Sequence, residues 1–315
     1  MKIYNSTKEF KAVEKTSVVT IGTFDGVHIG HQEIIKSLVK NAHSNEDKSV
    51  ILTFYPHPRL ILQQGIDLKL ITTLQEKISL LEKTGLDYLI IEPFNKEFSR
   101  LKALDFVRNI LVGELKMKKL VIGYDHHFGR NREGNFEQLQ EYGKVYGFEV
   151  EEIPAQDIQN ISVSSTKIRK ALEEGNIEKA NIYLGYEFMI TGRVIHGRGL
   201  GTQWNYPTIN IQLEEKYKLI PKAGVYIVKT ILNNTNVFGI MNIGFRPTVG
   251  GKHQTIEVHL LDYNADLYGA NIQVQLSYRL RDEQKFSSID KLIAQIKQDE
   301  KKTRELIANG KVSFN

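Results

Sequence analysis

Residues 22–31 read Gly22-Thr23-Phe24-Asp25-Gly26-Val27-His28-Ile29-Gly30-His31, and this stretch decides the fold of the first half of the chain. The run ahead of it, Val18-Val19-Thr20-Ile21, is rich in β-branched residues and favours a strand. Behind it, Ile34, Ile35, Leu38 and Val39 recur at helical spacing and form one apolar face. The segment is therefore a strand, a glycine-containing turn, and two histidines at or near a helix N-terminus. Backbone N–H groups and the helix dipole favour an anion such as phosphate at that position. His28 and His31 are three residues apart, so they share a face, and each has a ring N–H to offer a phosphoryl oxygen. The plain alternative is two polar residues at a helix start. A metal site would need a third ligand at suitable spacing, and none is evident.

The alternation continues outward from this turn. Strand patterns at Val18–Gly22, Val50–Phe54, Tyr88–Ile91, Leu120–Gly123 and Phe148–Ile153 are separated by helical patterns at Gln32–Ala42, Leu74–Lys83, Ala103–Leu111 and Phe136–Tyr146. A further helix starts near Ser165. Such alternation predicts an α/β doubly wound, Rossmann-like domain with a parallel sheet, whose ligands sit at the carboxyl ends of the strands. Near Gly185 the pattern changes. Strand candidates follow at Phe188–Ile195, Val225–Leu232, Val237–Ile243, Thr255–Leu261 and Ile272–Tyr278, with Asn233–Asn236 as a hairpin connection and a final helix over Ser288–Ile307. This predicts a small antiparallel β-barrel domain with a C-terminal helix. The expected domains are residues 1–184 and 185–315.

A chain of 315 residues accommodates two such cores. It contains no cysteine, which excludes disulfides, thiolate metal sites and thiol nucleophiles. The formal net charge of +5 suits anionic small-molecule substrates, and no Lys/Arg block of the kind that marks a nucleic-acid-binding tail is present. Neither a signal-peptide apolar region nor a membrane-spanning run is visible, so the expectation is a cytoplasmic protein without nucleic-acid or membrane partners.

Three more segments of the first domain are candidates to converge on the histidine turn. Thr53-Phe54-Tyr55-Pro56-His57-Pro58 ends the second strand, where two prolines stop the strand and stiffen the loop. Gly123-Tyr124-Asp125-His126-His127-Phe128-Gly129 ends the fourth. Ser164-Ser165-Thr166-Lys167-Ile168-Arg169 opens the last helix of this domain. Capping explains its hydroxyls, but not two cations in a first turn whose dipole disfavours them. A bound phosphate would compensate them.

These segments resemble a known pattern. His28–His31 resembles the HxGH signature of the nucleotidyltransferase superfamily. With Phe24-Asp25-Gly26 ahead of it, the stretch looks like the bacterial bifunctional riboflavin kinase/FMN adenylyltransferase family. Residues 123–129 are similar to that family's GxDFxFG loop, with His126 in place of the usual aromatic, and residues 164–169 to its SSTxIR motif. The resemblance implies that the phosphate of FMN attacks the α-phosphorus of ATP, giving FAD and pyrophosphate. It implies an ATP site of Gly22, Phe24, Asp25, His28, His31, Ser164, Thr166 and Arg169, with His28, His31 and Arg169 stabilising the phosphates. Phe54, Pro56, His57, Pro58, Asp125 and Phe128 are the implied flavin contacts. The attacking phosphate is already anionic, so positioning and charge stabilisation carry this step.

In the second half, Gly192–Gly201 is a glycine-rich turn after a strand, where backbone amides approach phosphates. No Walker A sequence occurs anywhere. Thr208 and Asn210 alternate, so on a strand they face the same side, and oxygen donors of this kind suit Mg²⁺ and phosphate. Pro207–Asn210 resembles the riboflavin kinase PTxN motif, whose threonine and asparagine bind Mg-ATP. Trp204-Asn205-Tyr206 replaces the usual LGF, and Thr202 stands where Arg is common. Segments 242–248, 257–262, 266–269 and 281–286 also match the kinase half. By this resemblance Gly197, Gly199, Gly201, Thr208 and Asn210 bind ATP, Thr208 and Asn210 hold the Mg²⁺, and Arg281 and Phe286 contact flavin. Glu257 is then the general base for the 5′-hydroxyl of riboflavin, since a neutral hydroxyl must lose its proton while attacking phosphorus. The histidine signature alone leaves open a nucleotidyltransferase acting on another substrate, or a flavin- or RNA-binding regulator that retains the fold. The second-half motifs argue for the bifunctional enzyme, with riboflavin, FMN and ATP as its small-molecule substrates.

Overall fold

The computed structural model describes all residues except 11–15, 64, 125–126, 155–156, 159–160, 198–200, 202–203, 205, 249–250 and 315. Asp125, His126, Gly199, Thr202 and Asn205 therefore lie outside the described residues. The chain divides into two compact units, Met1–Ser165 and Thr166–Asn315.

The first unit is built on a six-stranded sheet: β1 (Lys2–Tyr4), β2 (Ser17–Ile21), β3 (Lys48–Tyr55), β4 (Tyr88–Pro93), β5 (Met117–Gly123) and β6 (Glu149–Ile153). The order is β1-β4-β3-β2-β5-β6, and every pairing is parallel. The four inner strands, β2 to β5, alternate between two cores, as a sheet covered on both faces requires. Val18, Ile51, Leu89 and Val121 pack with the helices on one side, while Val19, Ile21, Leu52, Ile90 and Leu120 pack on the other. The helix α1 (Ile29–Ser44) buries Ile35, Leu38 and Ala42 in the first of these cores. After β2 the chain moves to β3 on one side, and β5 lies on the other, so the strand order reverses at the end of β2. That is the crevice in which open α/β sheets bind ligands, and the histidine turn sits there.

Further helices shape this unit. α2 (Pro58–Leu62) begins with Pro58 at N1, where the missing N–H costs nothing. α3 (Leu74–Glu82) starts with a capping box, in which Thr73 and Glu76 satisfy each other's backbone N–H groups. α4 (Ala103–Asp105) continues as a π-type helix over Phe106–Glu114. α5 (Phe136–Tyr146) then leads to β6 and ends on Gly147 in the left-handed conformation. Beyond β6 a short ribbon pairs β7 (Asp157–Ile158) with β8 (Ile161–Ser162).

α6 (Ser165–Glu174) starts at the last residue of the first unit, and the rest of it, with α7 (Ile177–Leu184), belongs to the second. A closed barrel follows: β9 (Met189–Ile195), β10 (Ile209–Gln212), β11 (Gly224–Leu232), β12 (Thr235–Thr248), β13 (Gly251–Leu260) and β14 (Asn271–Arg281), in the order β10-β13-β12-β11-β14-β9. All its pairings are antiparallel. The hairpin connection expected over Asn233–Asn236 is shorter in the structure: Asn233 and Asn234, both with positive φ, form a two-residue turn, and Thr235 and Asn236 already belong to β12. Met241, Ile243, Ile256 and Val258 fill the interior. α7 docks on β14 through Asn181, whose Nδ2 donates to the Leu276 carbonyl at 2.8 Å and whose Oδ1 accepts from Phe188 N–H at 2.8 Å. The C-terminal helix α8 (Ile289–Ala308) packs against β12. An α/β Rossmann-like domain followed by a small antiparallel barrel with a C-terminal helix is thus the observed architecture.

Candidate active site

In the first unit the chemistry-bearing residues collect at the end of β2. His28 is the N-cap of α1, its carbonyl accepting from Gln32 N–H at 2.9 Å, and His31 lies in the first turn. The two imidazoles stack, with centroids 3.7 Å apart and planes 20° from parallel. His31 also meets Phe24 edge-on at 5.1 Å. Gly30 lies beneath His28, and a Cβ there would stand in van der Waals contact with the ring. Burial, then the neighbouring His28, then Lys77, hold the His31 imidazole well below its ordinary pKa. His31 is therefore neutral at pH 7, carrying one N–H donor.

The turn itself is strained and tightly held. Phe24 and Val27, both buried, have φ of 48° and 37°, and Gly26 has φ of 84° with Ile71 packed where a Cβ would stand. Such backbone persists only where its surroundings over-determine it. Here Asp25, 2% exposed, accepts from the N–H groups of Ile71 at 2.9 Å and Thr72 at 3.2 Å. Thr72 Oγ1 accepts from Gly26 N–H. Gln32 Nε2 donates to the Val27 carbonyl, and Ser165 Oγ donates to the Asp25 carbonyl at 3.0 Å. The latter bond ties the first residue of α6 to the turn. Ser164 and Arg169 are half-buried around this helix start, and Thr166 is exposed.

The segment after β3 carries the implied flavin contacts. Phe54 is half-buried and lies 5.6 Å from both Phe94 and Phe98, which pack on each other at 5.7 Å. Phe94 and Phe98 were not legible as site candidates, since nothing local distinguishes them from core aromatics. Pro56 is exposed and follows a cis peptide bond, and His57 caps α2, its Nδ1 accepting from Arg59 N–H. Pro58 is half-buried. Phe128 is 7% exposed and packs into the core 6.1 Å from Phe106.

In the second unit the ladder aligns a row of side chains around the outside of the barrel. Asn210 pairs with Glu257, Glu257 with Asn242, Asn242 with Val225, and Val225 with Arg281. Glu257 lies between buried Ile256 and Val258, so its half-buried carboxylate points away from the barrel interior, together with its partners Asn210 and Asn242. The Asn210 carboxamide lies against Gly197, where any side chain would displace it. The Gly201 carbonyl accepts from Trp204 N–H and Tyr206 N–H. His259 was missed in the sequence. It shares the outer face of β13 with Glu257, and its Nδ1 donates to the Pro207 carbonyl at 2.8 Å, fixing the approach to half-buried Thr208. Tyr268 stacks on His196 at 3.7 Å, and Gly269 N–H bonds the Val194 carbonyl, docking the 266–269 turn beside the end of β9.

Arg281 is anchored rather than loose. Its Nε and Nη2 donate to both oxygens of Asp299 on α8, at 3.0 Å and 2.7 Å, and Nη1 donates to the Asp282 carbonyl. The half-buried ring of Phe286 lies 5.9 Å from the guanidinium. Among the described residues there is no cluster of three or more His, Asp or Glu side chains arranged for a metal, and no helix is long and apolar enough to cross a membrane.

A parallel α/β unit with paired histidines at its switch point, joined to a closed barrel with an acid–amide row, defines a two-part nucleotide-using transferase. The comparisons with known proteins agree. Residues 10–167 match the FAD synthetase family model and residues 184–307 the riboflavin kinase model. The bifunctional riboflavin kinase/FMN adenylyltransferase of Buchnera aphidicola subsp. Schizaphis graminum is 41% identical over 303 residues, covering 95% of this chain and 96% of the relative. That of Escherichia coli K12 is 39% identical over 296 residues, covering 94% of each. A crystal structure described as a macrolide-efflux protein from Streptococcus pneumoniae superimposes with a TM-score of 0.88 at 30% identity, covering 96% of this chain and 98% of that one. The chain belongs to the bifunctional riboflavin kinase/FMN adenylyltransferase family.

Proposed function

We propose that the chain's two activities are divided between its two sequence halves. The barrel half phosphorylates riboflavin to FMN with ATP, and the α/β half adenylylates FMN to FAD with release of pyrophosphate. The observation that carries this division is the separation of the two clusters: the histidine turn lies in the parallel unit and the Asn210–Glu257–Asn242 row in the barrel.

In adenylylation, the ring N–H groups of His28 and of the neutral His31 meet the phosphates of ATP as charge shifts from the α-phosphorus to the leaving pyrophosphate. Ser164, Thr166 and Arg169 supply hydroxyl and guanidinium donors to the triphosphate. Gly22 and Phe24 shape the turn under the nucleotide, and Asp25 holds the turn through the backbone of residues 71–72. Phe54, with the Pro56-His57-Pro58 segment, offers the aromatic and stiff surface that suits an isoalloxazine ring.

In phosphorylation, Glu257 accepts the proton of the riboflavin hydroxyl as that oxygen attacks the γ-phosphorus, and ADP leaves. Thr208 and the carboxamide of Asn210 are hard oxygen donors. They fit Mg²⁺ that arrives with ATP and takes its remaining ligands from phosphate and water. When bound there, the metal would supply neutralisation of charge on the transferring phosphoryl group. Gly197 and Gly201 keep the neighbouring backbone open to phosphate, and Arg281 and Phe286 bound the flavin side. The testing experiment is chromatographic product analysis of the full chain and its Glu257 and His28 variants, supplied with riboflavin or FMN together with ATP and Mg²⁺. Each variant should lose one product step and keep the other.

A further inference from the structure

Lys77 is a buried charge that the chemistry above does not use. It lies in the first turn of α3 and is 7% exposed, and its Nζ donates to the Thr23 carbonyl at 2.7 Å. Lysines are almost never buried without a strong partner, and here the hydrogen-bonded partner is a neutral carbonyl in the catalytic turn. Thr53 Oγ1 reaches the same oxygen at 3.4 Å, so the carbonyl does not depend on Lys77 alone. The capping box at Thr73 and Glu76 fixes the start of α3 and, with it, the stem of Lys77. A methionine would fill much the same volume without taking a charge out of water. Burial lowers the ammonium's pKa from 10.5 to about 8, partly offset by Asp25. The groups that face Lys77 are the Asp25 carboxylate and Thr23 carbonyl of the turn, and His31 at the start of α1, stacked on His28. Glu76, on its own helix, is engaged with Thr73 N–H.

We propose that Lys77 is a positioning residue for adenylylation, whose ammonium fixes the Thr23 carbonyl and sets a positive charge behind the two imidazoles where the phosphates of ATP bind. The proposal rests on the reading of the His28–His31 turn as the adenylylation centre. The ammonium does two things there. It holds the strained Gly22–Phe24 backbone from below, and it disfavours protonation of His31, leaving that imidazole a neutral donor. The arrival of a polyanion then meets a preorganised positive field in a site of low dielectric.

The test is the pH profile of kcat/KM for ATP in FMN adenylylation by the full chain, with riboflavin phosphorylation in the same preparation as the internal control. Wild type should lose adenylylation as pH rises through about 8, the range in which Lys77 loses its proton. Lys77→Met should lower adenylylation by roughly 30-fold or more and abolish that alkaline limb, with phosphorylation within about twofold of wild type. A wild-type profile flat across pH 7–9.5 (about 1.5 units to the alkaline side) overturns the proposal, as does a Lys77→Met variant within about threefold of wild type. Should Lys77→Met not fold, as judged by circular dichroism and kinase activity, the wild-type profile decides. His28→Ala run alongside separates the two readings. If His28→Ala adenylylates normally, the assignment of the site fails. If it is inactive while Lys77→Met is normal, only the role of Lys77 fails.

Discussion

Asn210 and Glu257 stand directly opposite each other in the antiparallel β10–β13 ladder. Opposed residues send their side chains to the same face with Cβ atoms about 5 Å apart. The proposed base, Glu257, thus shares its face with Asn210, the amide proposed to hold Mg-ATP. Glu257→Gln preserves shape and removes basicity. FMN formation from riboflavin should fall by about 100-fold or more, while conversion of supplied FMN to FAD persists. Near-normal kinase turnover in this variant would refute the role of base.

The Arg281–Asp299 pair predicts a coupled loss of stability and flavin binding. Asp299 is 6% exposed and receives Gln295 Nε2 as well as the Arg281 fork. Removing one partner of such a pair leaves an uncompensated charge, at a cost of about 3 kcal/mol. Asp299→Ala should lower the denaturation midpoint and raise KM for riboflavin, with KM for ATP in FMN adenylylation unchanged. Unaltered stability and unaltered riboflavin KM together would show that the anchor does neither job.

The docking of α7 on β14 predicts where the kinase half can be cut. A fragment of residues 166–315 keeps the Asn181 bonds to Leu276 and Phe188, whereas 185–315 loses them. Both should phosphorylate riboflavin without making FAD, and the longer fragment should melt at the higher temperature. A folded 166–315 fragment that produces no FMN would contradict the division of activities.

Lys77 also makes stability depend on pH. Its pKa falls from 10.5 in the unfolded chain to about 8 in the folded one. Between these values the unfolded chain binds the additional proton, so this group makes stability rise with pH across that window. The difference in unfolding free energy between wild type and Lys77→Met should therefore move in favour of wild type by roughly 3 kcal/mol from pH 8 to 10.5. Parallel denaturation series at several pH values measure it, and a constant difference would mean that Lys77 is not held in an unfavourable charged state near neutrality.

What was legible in the sequence was local. Val18–Ile21, the glycine turn and the Ile34–Ile35–Leu38–Val39 face each state their conformation within a few residues, so the strand, turn and helix around His28 follow from them. Barrel strands with clean alternation, such as Ile256–Val258–Leu260, read equally well. Elements without such a signal did not. β1 is three residues long and exposed or half-buried, and α2 begins at a proline that also reads as a strand stop. α7 has no sequence signal of its own and is seen only through its docking on β14. Among site residues, Asp25 reads from its motif as a ligand group, but its carboxylate meets backbone N–H groups 46 and 47 residues away. Lys77 and His259 were invisible for the same reason: their partners, Thr23 and Pro207, lie 54 and 52 positions distant. The helical pattern at Leu74–Lys83 places Lys77 in a helix's first turn, though not what it would meet there.

The central claim is that the stacked pair His28–His31 serves adenylylation alone. The most direct measurement is chromatographic analysis of the flavins formed by full-length His28→Ala and His31→Ala from riboflavin, ATP and Mg²⁺. FMN should accumulate at close to the wild-type rate, and FAD formation should fall by about 100-fold or more. FAD formed at the wild-type rate by these variants, or loss of FMN and FAD together in a chain that is still folded, would contradict it.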